Sequence, residues 1–184
     1  MFDKEVLFVW FYGTYQKLFD SLSNVPNVIL KQGMPSEEYL DEICHENETK
    51  HVVIIIDDMM NLSVNSSTVS EIYSVKSHHK GISTILILQN MFVQGKEARN
   101  IALNASYMCI FANHRDQSQI YVMSRQFLPQ HKHFLINAYR DATKPAYGYL
   151  FLDFKQKTPQ DLRVRTCIFP DDPVNYVYVP KRKE

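Results

Sequence analysis

The 184-residue sequence predicts an α/β fold: a mainly parallel β-sheet flanked by helices, with a β-hairpin or edge strands toward the C-terminus. Three observations predict it. The stretch HVVIIIDDMM, residues 51–60, runs from Val52 to Ile56 without a polar break, as a strand covered on both faces does; a strand covered on one face alternates. Two further apolar runs, 81–90 and 106–113, also end in polar side chains, with helical patterns between the runs. The run LRVRTCIF, 162–169, instead alternates Val164, Thr166 and Ile168 with Arg163, Arg165 and Cys167, which implies an edge or half-exposed hairpin strand.

In chain order, EVLFVWFYG (5–13) reads as a first buried strand closed by Gly13. TYQKLFDSLSN then carries Tyr15, Leu18, Phe19 and Leu22 at helical spacing and stops before Pro26. NVILKQG (27–33) is a short extended piece. PSEEYLDEICHEN (35–47) opens with Pro35, Ser36 and early acids, as a helix N-terminus should. After the central strand a helix is predicted over 67–79, with Lys76, His78, His79 and Lys80 near its end, where cations complement the helix dipole. GISTILILQN (81–90) is another buried strand, GKEARNIALNA (95–105) a short helix, and SYMCIFAN (106–113) a third strand. Helices over 116–127 and 132–143 follow, separated at Pro129, and AYGYLFLDF (146–154) precedes the alternating strand. With no repeat, low-complexity tract or linker, one domain over 1–184 is expected.

Composition narrows the partners only a little. The chain is 45% hydrophobic and 22% charged with a formal net charge of +0, so global charge names none. Residues 1–62 hold eleven acids against Lys4, Lys17, Lys31 and Lys50, which leaves the later part basic and permits a nucleic-acid-facing surface there. Cys44, Cys109 and Cys167 show no metal-ligand spacing; Cys109 and Cys167 lie in apolar runs, as small packed hydrophobes in a reducing compartment do. The first apolar run is too short to span a bilayer and follows acids, so a soluble intracellular protein without membrane contact is expected.

The chemistry concentrates at strand ends. In open α/β sheets the carboxyl ends of the strands face the ligand crevice. Strands ending at Ile56, Leu88 and Ala112 would line up Asp57 and Asp58, Gln89 and Asn90, and Asn113 along one edge of a parallel sheet. Those residue types suit nucleotide hydrolysis: one carboxylate holds Mg2+ through its waters, a second polarises the attacking water, and an amide on the neighbouring strand bonds that water or the terminal phosphate. The competing reading makes Asp57 a turn residue and Asp58 a helix cap.

HVVIIIDDMM, SHHKGISTILILQNMFVQGKEARNIALNASYMCIFANHRDQSQI, AYRDATKPAYGYLFLDF and LRVRTCIFP together resemble the packaging ATPases of Maverick/Polinton elements and adintovirus-like viruses, relatives of poxvirus-type packaging ATPases in the FtsK–HerA superfamily. WFYGTYQ is similar to the segment that follows the phosphate-binding helix in that family. The resemblance implies a P-loop NTPase-like fold, with ATP and Mg2+ as cofactors, double-stranded DNA as partner and self-association into a ring. It makes Asp57 the Mg2+-associated Walker B carboxylate, Asp58 the water-polarising acid where many members have Glu, and Gln89 the sensor amide, with Asn90 and Asn113 beside the nucleotide. Arg99 falls where the superfamily places its trans-acting arginine finger, with Arg115 as second candidate; the plainer reading of Arg99 is a solvated side chain on a short helix.

The sequence departs from that family in one respect. A Walker A loop, G-x-x-x-x-G-K-[ST], wraps phosphates with backbone N–H groups. None of Gly13, Gly33, Gly81, Gly95 and Gly148 fits it, since Glu97 follows Gly95-Lys96 and Asn90 stands at the first glycine's position. The family's missing strand, loop and helix would precede FDKEVLFVWFYG, so the chain is expected to start just after the phosphate cradle and not to hydrolyse ATP alone. A non-catalytic remnant or interaction subunit is one alternative. A metal-dependent nuclease using Asp57 and Asp58 with Asp116 or Asp153 is another.

The remaining polar and aromatic residues favour structural roles. Adjacent His78 and His79 are poorly spaced for a metal, and His131 and His133 fit a solvated loop. Tyr139, Tyr147, Tyr149, Phe151 and Phe154 read as core before base stacking. Lys181, Arg182 and Lys183 form a basic tail that suits either solvent or DNA.

Overall fold

The computed structural model describes residues 4–57, 59, 81–89 and 103–181. The helices expected over 67–79 and 95–105 fall wholly or largely outside these. The chain forms two compact units, residues 1–104 and 105–184.

The first unit is an α/β layer with an all-parallel sheet, built from β1 (Val6–Tyr12), α1 (Leu18–Leu22), β2 (Val28–Gln32), α2 (Glu37–Glu46), β3 (His51–Asp57) and β4 (Ser83–Ile87). The strand order is β2-β1-β3-β4. β3 is therefore central, with β1 on one side and β4 on the other, and all five residues from Val52 to Ile56 are buried. This is the physical reason for the unbroken apolar run: both of its faces are covered. One face joins Leu7, Val9 and Phe11 of β1 to Val52, Ile54 and Ile56 of β3 and to Leu40 and Ile43 of α2. Burying one such side chain contributes about 1.5–3 kcal/mol. On β1 the opposite face carries Trp10 and Tyr12, which meet the fully buried Phe19 of α1 at ring-centroid distances of 5.9 and 4.6 Å. α2 begins where Ser36 and the acids predicted: the Ser36 hydroxyl accepts the Tyr39 N–H at 3.2 Å, and Glu37 and Glu38 occupy the first turn. Among the described residues β4 is the outermost strand, and the expectation of a buried strand over 81–90 is corrected: Ile85 and Ile87 are exposed.

The second unit comprises β5 (Tyr107–Phe111), α3 (Ser118–Phe127), α4 (Lys132–Ala142, entered through a 3-10 turn at Pro129–His131), β6 (Tyr149–Asp153), β7 (Val164–Thr166) and β8 (Tyr176–Val177). Its sheet, order β5-β6-β7-β8, is antiparallel throughout. The expectation that the strand ending at Ala112 extends the parallel sheet is thereby corrected: β5 pairs antiparallel with β6, Ile110 opposite Leu150. A short apolar run cannot distinguish the two cases, because the positions of β5 that point away from Ile110 are filled by Tyr107, Cys109 and Phe111 and not by polar residues. Ile110, Leu150, Leu152 and Val164 form the buried side, and α4 lies against β6. β7 is the half-exposed strand of a hairpin, Val164 and Thr166 buried and Arg165 between them partly open, with the short β8 outside it. Cys109 is corrected too: it is exposed and not a core residue. Its surroundings still desolvate the sulfur enough to push the thiol up to about 11.

Among the described residues no helix is long and apolar enough to cross a membrane.

Candidate functional site

The carboxyl ends of the parallel strands bring together Tyr12, Asp57 and Ile87, which are register partners on β1, β3 and β4. Gln89 lies two residues past the end of β4, the strand next to that of Asp57. Asp57 and Gln89 thus stand at the same end of neighbouring parallel strands, as expected. Asp57 is half-buried, and its Oδ2 accepts the indole N–H of Trp10 at 3.3 Å. Trp10 faces Ile55 in the register, so its side chain leans along β3 toward Asp57 on the same side of the sheet. Its ring packs on Phe19, which anchors the donor.

The loops beyond β1 and β2 are tied at this end. Gly33 N–H donates to the Tyr12 carbonyl at 2.9 Å, and the Gln32 amide donates to the Gly13 carbonyl at 3.4 Å. Gly33 needs its φ of 92° to turn the chain into that bond, a conformation glycine adopts without strain.

Asp58, Asn90 and Arg99 lie outside the described residues, as do His78 and His79. Asn113 does not belong to the parallel-sheet edge, since it follows β5 of the antiparallel sheet. There its side-chain oxygen accepts the N–H groups of Arg115 and Asp116 at 3.0 and 3.1 Å, while its own N–H donates to the Tyr139 hydroxyl at 2.9 Å. Asp116 continues the turn: Oδ1 accepts from the N–H and hydroxyl of Ser118, and Oδ2 from the Gln119 amide at 3.0 Å. Asn113 and Asp116 are therefore helix-entry residues of α3, a role that the spacing of Asn, Asp and Ser in NHRDQS already suits. Asp153 is buried against Arg165 at 3.0 Å and also accepts the Lys155 N–H at 3.0 Å. Both further acids of the nuclease alternative thus serve local structure.

Among the described residues no group of three or more His, Cys, Asp or Glu side chains gathers as a metal site. The site residue that sequence reasoning missed is Trp10. Its signal was present: the chain's single Trp, in an apolar strand, carries an N–H that needs a partner when covered.

Compared with protein-family models, with curated proteins and with solved structures, the chain matches none.

Proposed function

We propose that the β1–β4 unit is the Walker B and sensor part of an ATP-driven DNA-translocating motor of the viral packaging type. In this reading Asp57 orients the water shell of Mg2+, Asp58 polarises the attacking water, Gln89 senses the terminal phosphate, and Arg99 completes a neighbouring subunit's site in a ring on double-stranded DNA. The observation that supports it is the placement of Asp57 and Gln89 at the same end of adjacent parallel strands. Among the described residues β4 is the outermost strand on its side, which is compatible with a further strand pairing there, as the resemblance requires. The lack of a Walker A pattern in the sequence favours a second reading, a remnant or interaction subunit that no longer binds ATP.

The deciding assay measures Mg2+-dependent ATP hydrolysis by this chain and by the chain extended with the in-frame sequence preceding Met1. The motor reading expects no turnover from the chain alone, turnover from the extended protein, and its loss in Asp57→Asn and Asp58→Asn. Absence of any phosphate-binding loop upstream, with no turnover in either form, leaves the remnant reading. Mg2+-dependent DNA cleavage without nucleotide would instead establish the nuclease.

A further inference from the structure

An antiparallel sheet with one solvated face normally points polar side chains outward. The β5–β8 sheet does not. Tyr107 and Phe111 of β5 are 46% and 58% exposed, Phe151 stands between them on β6, and Phe169 beyond β7 is 58% exposed. The rings form two groups on this face: Tyr107 meets Phe151 at 5.4 Å, while Phe111 meets Tyr149 at 6.0 Å and Tyr149 meets Phe169 at 5.5 Å. Two cations lie over these rings, Lys155 at 4.8 Å from the Tyr107 centroid and Arg165 at 5.2 Å from that of Phe151.

We propose that this face binds single-stranded nucleic acid, its exposed rings stacking on bases and Lys155 meeting phosphates. Base stacking needs an aromatic surface open to solvent, and the backbone of a single strand needs positive charge beside it. The charge is on the right unit: residues 105–184 hold twelve Lys and Arg against seven Asp and Glu, whereas residues 1–104 hold eight against thirteen. The acids near the rings are already engaged, Asp153 by Arg165 and Asp172 by the Phe169 N–H at 2.8 Å. A duplex keeps its bases stacked inside and cannot reach such rings, so the platform selects unpaired strands. The assignment does not depend on the nucleotide reading of the other unit.

Fluorescence anisotropy of the full chain with labelled oligothymidylate, oligouridylate and a duplex tests it. Expected is binding of one or both single strands in preference to the duplex, weakened about tenfold or more in Phe111→Ala and further in the double variant with Phe169→Ala. Phe111→Tyr should retain binding, and Lys155→Gln should lower the dependence of log affinity on log salt by about 0.7. Circular dichroism and melting confirm that the variants fold, which their exposure favours. Equal affinity for the duplex, binding indifferent to Phe111→Ala, or no binding at all would overturn the proposal. So would light scattering that shows a dimer dissolved by Phe111→Ala without oligonucleotide binding.

Discussion

Trp10 and Asp57 meet across two neighbouring parallel strands, the indole N–H donating to the carboxylate at 3.3 Å. The bond places a fixed donor beside an acid at the strand end, where a ligand's charge would otherwise have to orient it. Trp10→Phe keeps a ring against Phe19 but removes the donor. It should cost about 1 kcal/mol, the usual net worth of such a bond. Asp57→Asn should cost less, because its carbonyl oxygen still accepts. Urea midpoints of the two variants, compared at constant m-value, check the order.

The centre and the margin of the parallel sheet predict opposite sensitivities. Ile54 is completely buried in the central strand, and Ile54→Ala should lose about 2–5 kcal/mol through lost contacts and the cavity left behind. Ile85 on the outermost described strand is 46% exposed, so Ile85→Ser should change stability by less than about 1 kcal/mol while reducing any self-association through that exposed apolar face. Denaturation and concentration-dependent light scattering on the same two variants separate the effects.

The reach of the sequence can be judged from a few particular residues. The burial of β3 was legible because only a strand covered on both faces tolerates five consecutive β-branched apolar side chains, and Ile54 is where that shows. The placement of Asp57 and Gln89 at the same end of neighbouring strands followed from it, since parallel neighbours end on the same side. Asn113 was misplaced because an apolar strand followed by an amide looks the same in either sheet, and only long-range pairing decides which one it joins. No local signal carries that information. The turn chemistry of Asn113 and Asp116 was readable, but it competed with a catalytic reading of the same polar residues.

Gly148 stands where a side chain has no room. A methyl group there would run into the backbone carbonyl of Ala142 and lie 3.0 Å from that of Pro145. Backbone oxygens at the end of α4 cannot swing aside as a side chain would. Gly148→Ala should therefore destabilise the second unit by about 1–3 kcal/mol, against near neutrality for Ala146→Gly in the exposed turn beside it. Thermal melts of both variants read the difference.

Asp116 predicts how the second unit responds to acid. Hydrogen bonds from the Ser118 side chain, then from that of Gln119, hold its carboxyl below the ordinary carboxylate value against an opposing desolvation. The folded state therefore releases this proton more readily than the unfolded chain does. Its stabilising contribution is complete above the unfolded value of about 3.9 and disappears as pH falls through the lower folded value. Asp116→Asn keeps an oxygen for the Ser118 N–H but removes the titration, so its stability should lose less between pH 5 and pH 2 than that of the parent chain. Ser118→Ala, which removes the first of the bonds that depress the carboxyl, should move the Asp116 titration upward toward the ordinary value. Carbon-detected NMR titration of the Asp116 carboxyl in the parent and in Ser118→Ala measures that shift. An unchanged titration would mean that the turn at the start of α3 does not hold this carboxylate in the folded protein.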